Sequence, residues 1–177
     1  FKQKIIALLI LPILGFLWLS ASTISKSVET TSEMSSLNQL TRLSVVYSEL
    51  VHELQKERGM TAGFIGSKGT KFVSELQSQR TSADNRRAQR NEYWQSAAID
   101  LPQITRLNNE ISQSLNQITS IRNRVDSQSI PLSVALGYYT KLNAKLLSVS
   151  ALIAELSSDA TITTETIAYY NFLQGKE

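Results

Sequence analysis

The residues best suited to hold something lie in Leu50–Gly66, LVHELQKERGMTAGFIG, where an apolar helical stripe acquires an arginine. Leu40, Leu43, Tyr47, Leu50 and Leu54 step by three and four, the spacing that keeps one helix face against a partner. At about 100° per residue Arg58 falls between Leu54 and Val51 on the helical wheel, while Glu49, Glu53 and Lys56 lie on other faces. A guanidinium on such a stripe must find a partner, and a carboxylate from a neighbouring helix would serve. Gly59 follows directly; glycine costs roughly 1 kcal/mol against alanine inside a helix, which points to a close approach at that turn. His52 and Gln55, one turn earlier, add hydrogen-bonding groups near the same seam.

The rest of the composition narrows the chemistry. There is no cysteine, so neither disulfides nor a thiolate metal site can form, and a single histidine excludes a multi-histidine metal cluster within one subunit. A formal charge of +3 is too small to indicate nucleic acid. No glycine-rich phosphate loop joins a strand to a helix, and no Ser-His-Asp or paired acid-base constellation can be assembled, so the chain reads as a non-enzyme without a cofactor.

The elements that must position Arg58 are all helical. Residues Ile5 to Ser25 carry no charge and are apolar enough to cross a hydrocarbon core of roughly 30 Å. Lys2 and Lys4 precede the run, which sets the N-terminus inside and the remainder outside the cell membrane, with Trp18 at the outer interface. A cleaved secretory signal ending near Ser20-Ala21-Ser22 is the alternative, and either reading exports the remainder. A chain beginning at Phe1 reads as an excerpt of a longer one.

From Ile24 to about Ile65 the pattern stays helical, a stalk on the order of 60 Å that becomes one wall of a bundle. Gly63, Gly66 and Gly69 then punctuate the chain, and Thr70 is placed to cap a second helix over about Lys71–Ala98. Its middle is basic, with Arg80, Arg86, Arg87 and Arg90; such a run reads as a solvated face, with Asp84 pairing Arg80 at i+4. Pro102 opens a third helix to about Val125, and Ser129-Ile130-Pro131 opens a fourth whose stripe of Leu132, Ala135, Tyr139, Leu142, Leu146, Val149, Ile153 and Leu156 reads as core alone. Ser157 to Thr164 is expected to turn into a fifth helical segment. The expected fold is all-α: a membrane helix over 1–25 continuing into an antiparallel, four-helix-bundle-like domain over 26–177.

LVHELQKERGMTAGFIGSKG, followed by FVSELQSQRTSAD, resembles the opening motif of the NIT family, the nitrate- and nitrite-sensing domains of bacterial receptors. The family's leucine-glutamine-x-glutamate-arginine-glycine core matches Leu54, Gln55, Lys56, Glu57, Arg58 and Gly59, and its second-helix arginine and aspartate match Arg80 and Asp84. A later family segment with its own glutamate-arginine pair would lie beyond Glu177, so the domain reads as truncated at its C-terminal end. The resemblance implies a homodimeric sensor region of an inner-membrane receptor, periplasmic or extracellular, most commonly a methyl-accepting chemotaxis protein with its signalling module outside this chain. It further implies nitrate or nitrite bound at Arg58, helped by Gln55, His52 and Gly59, with Arg80 as a candidate secondary anion contact. Nitrate is planar and singly negative, and a forked guanidinium can hold two of its oxygens. The alternatives are a receptor whose basic face Arg80–Arg90 docks an acidic periplasmic partner, and a dimeric spacer that binds nothing.

Overall fold

The computed structural model describes Trp18, residues 38–97 and residues 99–174, the last stretch with side chains as far as residue 156. The expected membrane span over 5–25 therefore lies, Trp18 apart, outside the described residues; among those described, no helix is long and apolar enough to cross a membrane. Residues 39–177 cluster as one unit.

Among the described residues from 38 onward, five helices follow one another: α1 (residues 38–66), α2 (Val73–Ser96), α3 (Pro102–Asn116), α4 (Ile118–Asp126) and α5 (Leu132–Gln174). They make four antiparallel arms, because α3 and α4 run on as one. Bonds between arms fix the directions: α1 meets α2 through Glu53–Gln79, Glu49–Arg86 and Tyr47–Arg90, one number rising as the other falls. The same reversal relates α2 to α3 and α4 through Arg80–Asp126 and Arg87–Asn116, and α1 to α5 through Arg58–Thr140 and Ser44–Ser150. Short connections between successive helices produce this up-down-up-down order.

Three of the four arms bury a seam spaced alternately by three and four. On α1 it is Leu43, Tyr47, Leu50, Leu54, Glu57, Thr61 and Phe64; on α3 and α4 together Ile104, Asn108, Ile111, Leu115, Ile118, Arg122 and Val125; on α5 Ala135, Tyr139, Leu142, Leu146, Val149 and Ile153. A strict seven-residue repeat drifts by about 20° per heptad against a straight helix, and the arms follow the repeat.

Several local expectations are corrected. The third helix breaks at Gln117, whose N–H bonds back to the Ser114 carbonyl at 3.2 Å, yet the seam continues across the break in register. Instead of turning at Ser157–Thr164, α5 stays helical to Gln174, since no glycine or proline occurs between Tyr138 and Gln174. Thr70 does not cap α2; its hydroxyl donates to the Ser67 carbonyl, and Phe72 is the N-cap in a left-handed conformation. α1 runs through Gly63 and Gly66 and closes with a Schellman pair, Lys68 N–H to Ile65 O at 3.0 Å and Gly69 N–H to Phe64 O at 2.8 Å. Gly63 is where the Phe72 ring lies against α1, in space a β-carbon would occupy.

The core falls into two apolar clusters. The larger centres on Leu50, Leu54, Ile111, Leu142 and Leu146; the smaller, at the end with the α1–α2 and α4–α5 connections, holds Phe64, Leu76, Val125, Ile130 and Ala135. Between them, on every arm, stand polar side chains: Glu57 and Thr61, Arg80, Arg122, and the hydroxyl of Tyr139.

Candidate functional site

Arg58, Gln55, His52 and Gly59 all lie on the exposed side of α1. The expectation that Arg58 sits within the apolar seam is corrected: the heptad repeat carries Glu57 into the seam and turns Arg58 outward. Its guanidinium is not free of the bundle, since Nη1 donates to Thr140 Oγ1 on α5 at 3.2 Å. It has no carboxylate within salt-bridge range among the described residues, so its charge has only a neutral hydroxyl beside it. Gln55 and Gly59 stand on the same outer face by helical spacing, and nothing lies within 4 Å of where a Gly59 β-carbon would be.

His52 points elsewhere, into an open groove of about 470 Å³ between α1 and α2 that it lines with Ser44, Val45, Ser48, Glu49, Glu53 and Arg86. Glu49 is bound there by Arg86 at 2.8 Å. Glu53 accepts from Gln79, a bond that leads the effects holding its pKa below the ordinary carboxylate value. Two carboxylates make this groove a poor host for an anion.

Beneath the outer face lies a buried ionic layer. Glu57, 0% exposed, accepts from Arg122 Nε at 2.7 Å and Nη2 at 2.8 Å, the side-on fork of one guanidinium on both oxygens of one carboxylate. Tyr139 donates its hydroxyl to the same carboxylate at 2.7 Å, and Arg80 Nε stands 3.9 Å from it. The remaining Arg122 nitrogen holds Asp84 at 2.8 and 2.9 Å, and Arg80 Nη1 holds Asp126 at 2.8 Å. Burial alone would weaken the Arg122 charge, but Glu57 and Asp84 more than offset it and raise its pKa. Burial, then the Glu57 charge, raises that of Tyr139, so neither group changes protonation in the physiological range.

The expected Arg80–Asp84 pair is thus corrected: Asp84 serves Arg122, and Arg80 takes Asp126. The basic run is corrected too. Arg80 is 7% and Arg90 2% exposed, so the run is not solvated throughout; Arg86, paired with Glu49, and Arg87, which donates to Asn116, stay half-exposed. An oxyanion on Arg80 would lie close to the Glu57 carboxylate; like charges at 4 Å repel by about 4 kcal/mol at an effective dielectric of 20, which weighs against a secondary contact there.

Arg90 forms a second polar layer without any acid. It donates to the Tyr47 hydroxyl at 2.9 Å, to the Asn108 side chain and to Ser112, and its charge lies 5.0 Å from the centre of the Tyr47 ring. Tyr47 passes its own hydrogen on to Asn108 Oδ1 at 2.7 Å.

Fold and site together define a four-armed helical bundle with an ionic layer in its core and, on its outer face, an arginine without a carboxylate partner among the described residues. The sequence matches the family model for nitrate and nitrite sensing, NIT, over residues 49–177, well over half of its length, and the chain belongs to that family. The solved structure of the NasR transcription antiterminator has a similar fold, with 21% identity and a TM-score of 0.67 over 71% of this chain and 34% of that one. The chain thus spans about a third of that protein's length. No curated protein matches the sequence.

Proposed function

We propose that this chain is the ligand-binding region of a bacterial membrane receptor, anchored by residues 5–25, that binds nitrate or nitrite at Arg58 and passes the signal to a module outside these residues, with chemotaxis as the favoured output. The observation that carries the reading, beside family membership, is the state of Arg58: an outward guanidinium whose sole polar partner among the described residues is the neutral Thr140 hydroxyl. Planar oxyanions fit its fork, and Gln55 adds an amide donor on the same face.

One arginine in water holds nitrate weakly, so affinity requires a second surface that dries the site. A second copy of α1 across a twofold axis would supply it, and with it a second Arg58. Two guanidinium groups facing one another repel until an anion stands between them. Gly59, uncrowded by its own bundle, lets that helix come close.

Titration calorimetry with sodium nitrate tests this. Arg58→Ala is expected to lower affinity by tenfold or more, roughly the 1.4 kcal/mol or greater of one charge-assisted bond. Gly59→Ala should stabilise the helix by up to about 1 kcal/mol while weakening nitrate binding. Nitrate affinity unchanged in Arg58→Ala would remove Arg58 from the site.

A further inference from the structure

Two arginines converge on one buried carboxylate, and only one of them holds it. Arg122 grips Glu57 with Nε and Nη2. Arg80 carries the same fork, yet its Nε and Nη2 are both buried and have no partner, although Nε stands 3.9 Å from Glu57 Oε1. An unfilled donor pair in a core is unfavourable and calls for an acceptor.

The two arginines are equivalently equipped. Each has a private, half-exposed acid on its remaining nitrogen, Asp84 for Arg122 and Asp126 for Arg80, with those carboxylates 53% and 51% exposed. Glu57 is the shared member. Were it to pass from the Arg122 fork to the Arg80 fork, Arg122 would keep Asp84, Arg80 would keep Asp126, and one fork would again be filled and one empty. Nearly the same bonds are made in either arrangement, and the displacement is on the order of 1 Å, the scale of helix shifts in switching proteins.

We propose that Glu57 is a two-position latch, held by the fork of Arg122 in the arrangement described and by that of Arg80 in the other, and that an oxyanion at Arg58 shifts the balance between them. The coupling rests on the nitrate-site reading. It is carried by adjacency: on α1, Glu57 faces inward to the Tyr139 hydroxyl and Arg58 outward to Thr140, consecutive residues on α5. An anion that draws Arg58 from Thr140 removes the outer of these two contacts and lets α1 turn toward α2, which carries Arg80.

The test uses the full 177-residue chain in mild detergent and two readouts. By nitrogen-15 NMR of the arginine Nε–H groups, Arg122→Met should give Arg80 Nε–H the low-field shift and slow exchange of a carboxylate-bonded donor, a signature absent from Arg80 in the unsubstituted protein. By calorimetry with sodium nitrate, Arg122→Met and Arg80→Met should move affinity in opposite directions, each by about fivefold or more. A cluster that only supports the fold would move both the same way or neither. That result, or an Arg80 Nε–H left unchanged by loss of Arg122, overturns the latch. If Arg122→Met does not fold, Arg122→Lys, which keeps the charge and loses the fork, should change both readouts in the same sense by less. If the unsubstituted protein takes up no nitrate, the sensor reading and its coupling to Glu57 fall, while the Arg80 Nε–H resonance still decides whether Glu57 has two holders.

Discussion

Truncation of Glu57 separates an ionic layer that holds the bundle together from a set of incidental contacts. Glu57→Ala removes a fully buried carboxylate that accepts from two Arg122 nitrogens and from the Tyr139 hydroxyl. Breaking a buried ion pair costs about 3–5 kcal/mol, and the lower end applies because Arg122 retains Asp84. The stranded Tyr139 hydroxyl adds roughly 1–3 kcal/mol. A loss of about 4–6 kcal/mol is therefore expected, much of the roughly 5–15 kcal/mol that holds a typical domain together. In urea unfolding followed by far-ultraviolet circular dichroism, a slope near 2 kcal/mol per molar turns this into a midpoint about 2–3 M lower. Pairing the change with Tyr139→Phe supplies the control, since the two share a bond and their effects should fall short of additive by about 1 kcal/mol or more. A Glu57→Ala variant within 1 kcal/mol of the parent, or strict additivity with Tyr139→Phe, would refute the assignment of structural weight to this layer.

Two further substitutions probe buried polar groups that lack an ionic partner. Asn143 is buried beside Leu142 with both amide atoms unpaired, so Asn143→Leu should raise stability by about 1–2 kcal/mol in the same urea assay, and a loss of that size would contradict the account. Arg90→Met removes a buried cation with no acid, and Tyr47 keeps its bond to Asn108; the change should stay within about 1 kcal/mol of the parent in either direction, far from the effect at Glu57, and a loss of about 3 kcal/mol or more would tell against it.

The arms of the bundle were legible because their seams are long and mostly apolar. Ile104 to Val125 and Ala135 to Ile153 repeat by three and four without a slip, and Pro102 opens α3 at its first turn as expected. What misled was the assumption of a straight helix at Arg58. Counting by heptads from Leu43 gives Leu50, Glu57 and Phe64 at one position and Tyr47, Leu54 and Thr61 at the other, so Glu57 enters the seam while its charge argues for the surface. Continuing the same count on α2 from Leu76 gives Arg80, Ala83, Arg87 and Arg90; Arg80 and Arg90 are buried and Arg87 half-buried, inside a run that composition reads as solvated. Pairing could not be read at all. Asp84 lies within reach of Arg80 along α2, and only the arrangement of α4 beside it makes Arg122 the better partner.

The geometry of the layer also limits which motions a ligand can drive. A slip of α1 along its axis by one full turn, about 5.4 Å, breaks the Glu57 contacts at 2.7 and 2.8 Å. Two buried charges would then be parted at once, and the apolar seams on either side offer nothing in exchange. On the latch proposed above, a sideways or rotary shift of α1 toward α2 trades one fork for another, because Arg80 Nε on α2 already stands 3.9 Å from Glu57. Purely apolar heptads would resist neither motion selectively, as sliding by a full repeat restores similar contacts. The ionic layer thus resists a full-turn slip of α1, and on the proposed reading a signal from Arg58 would leave as a turn or tilt of the helix more readily than as a piston stroke of that size.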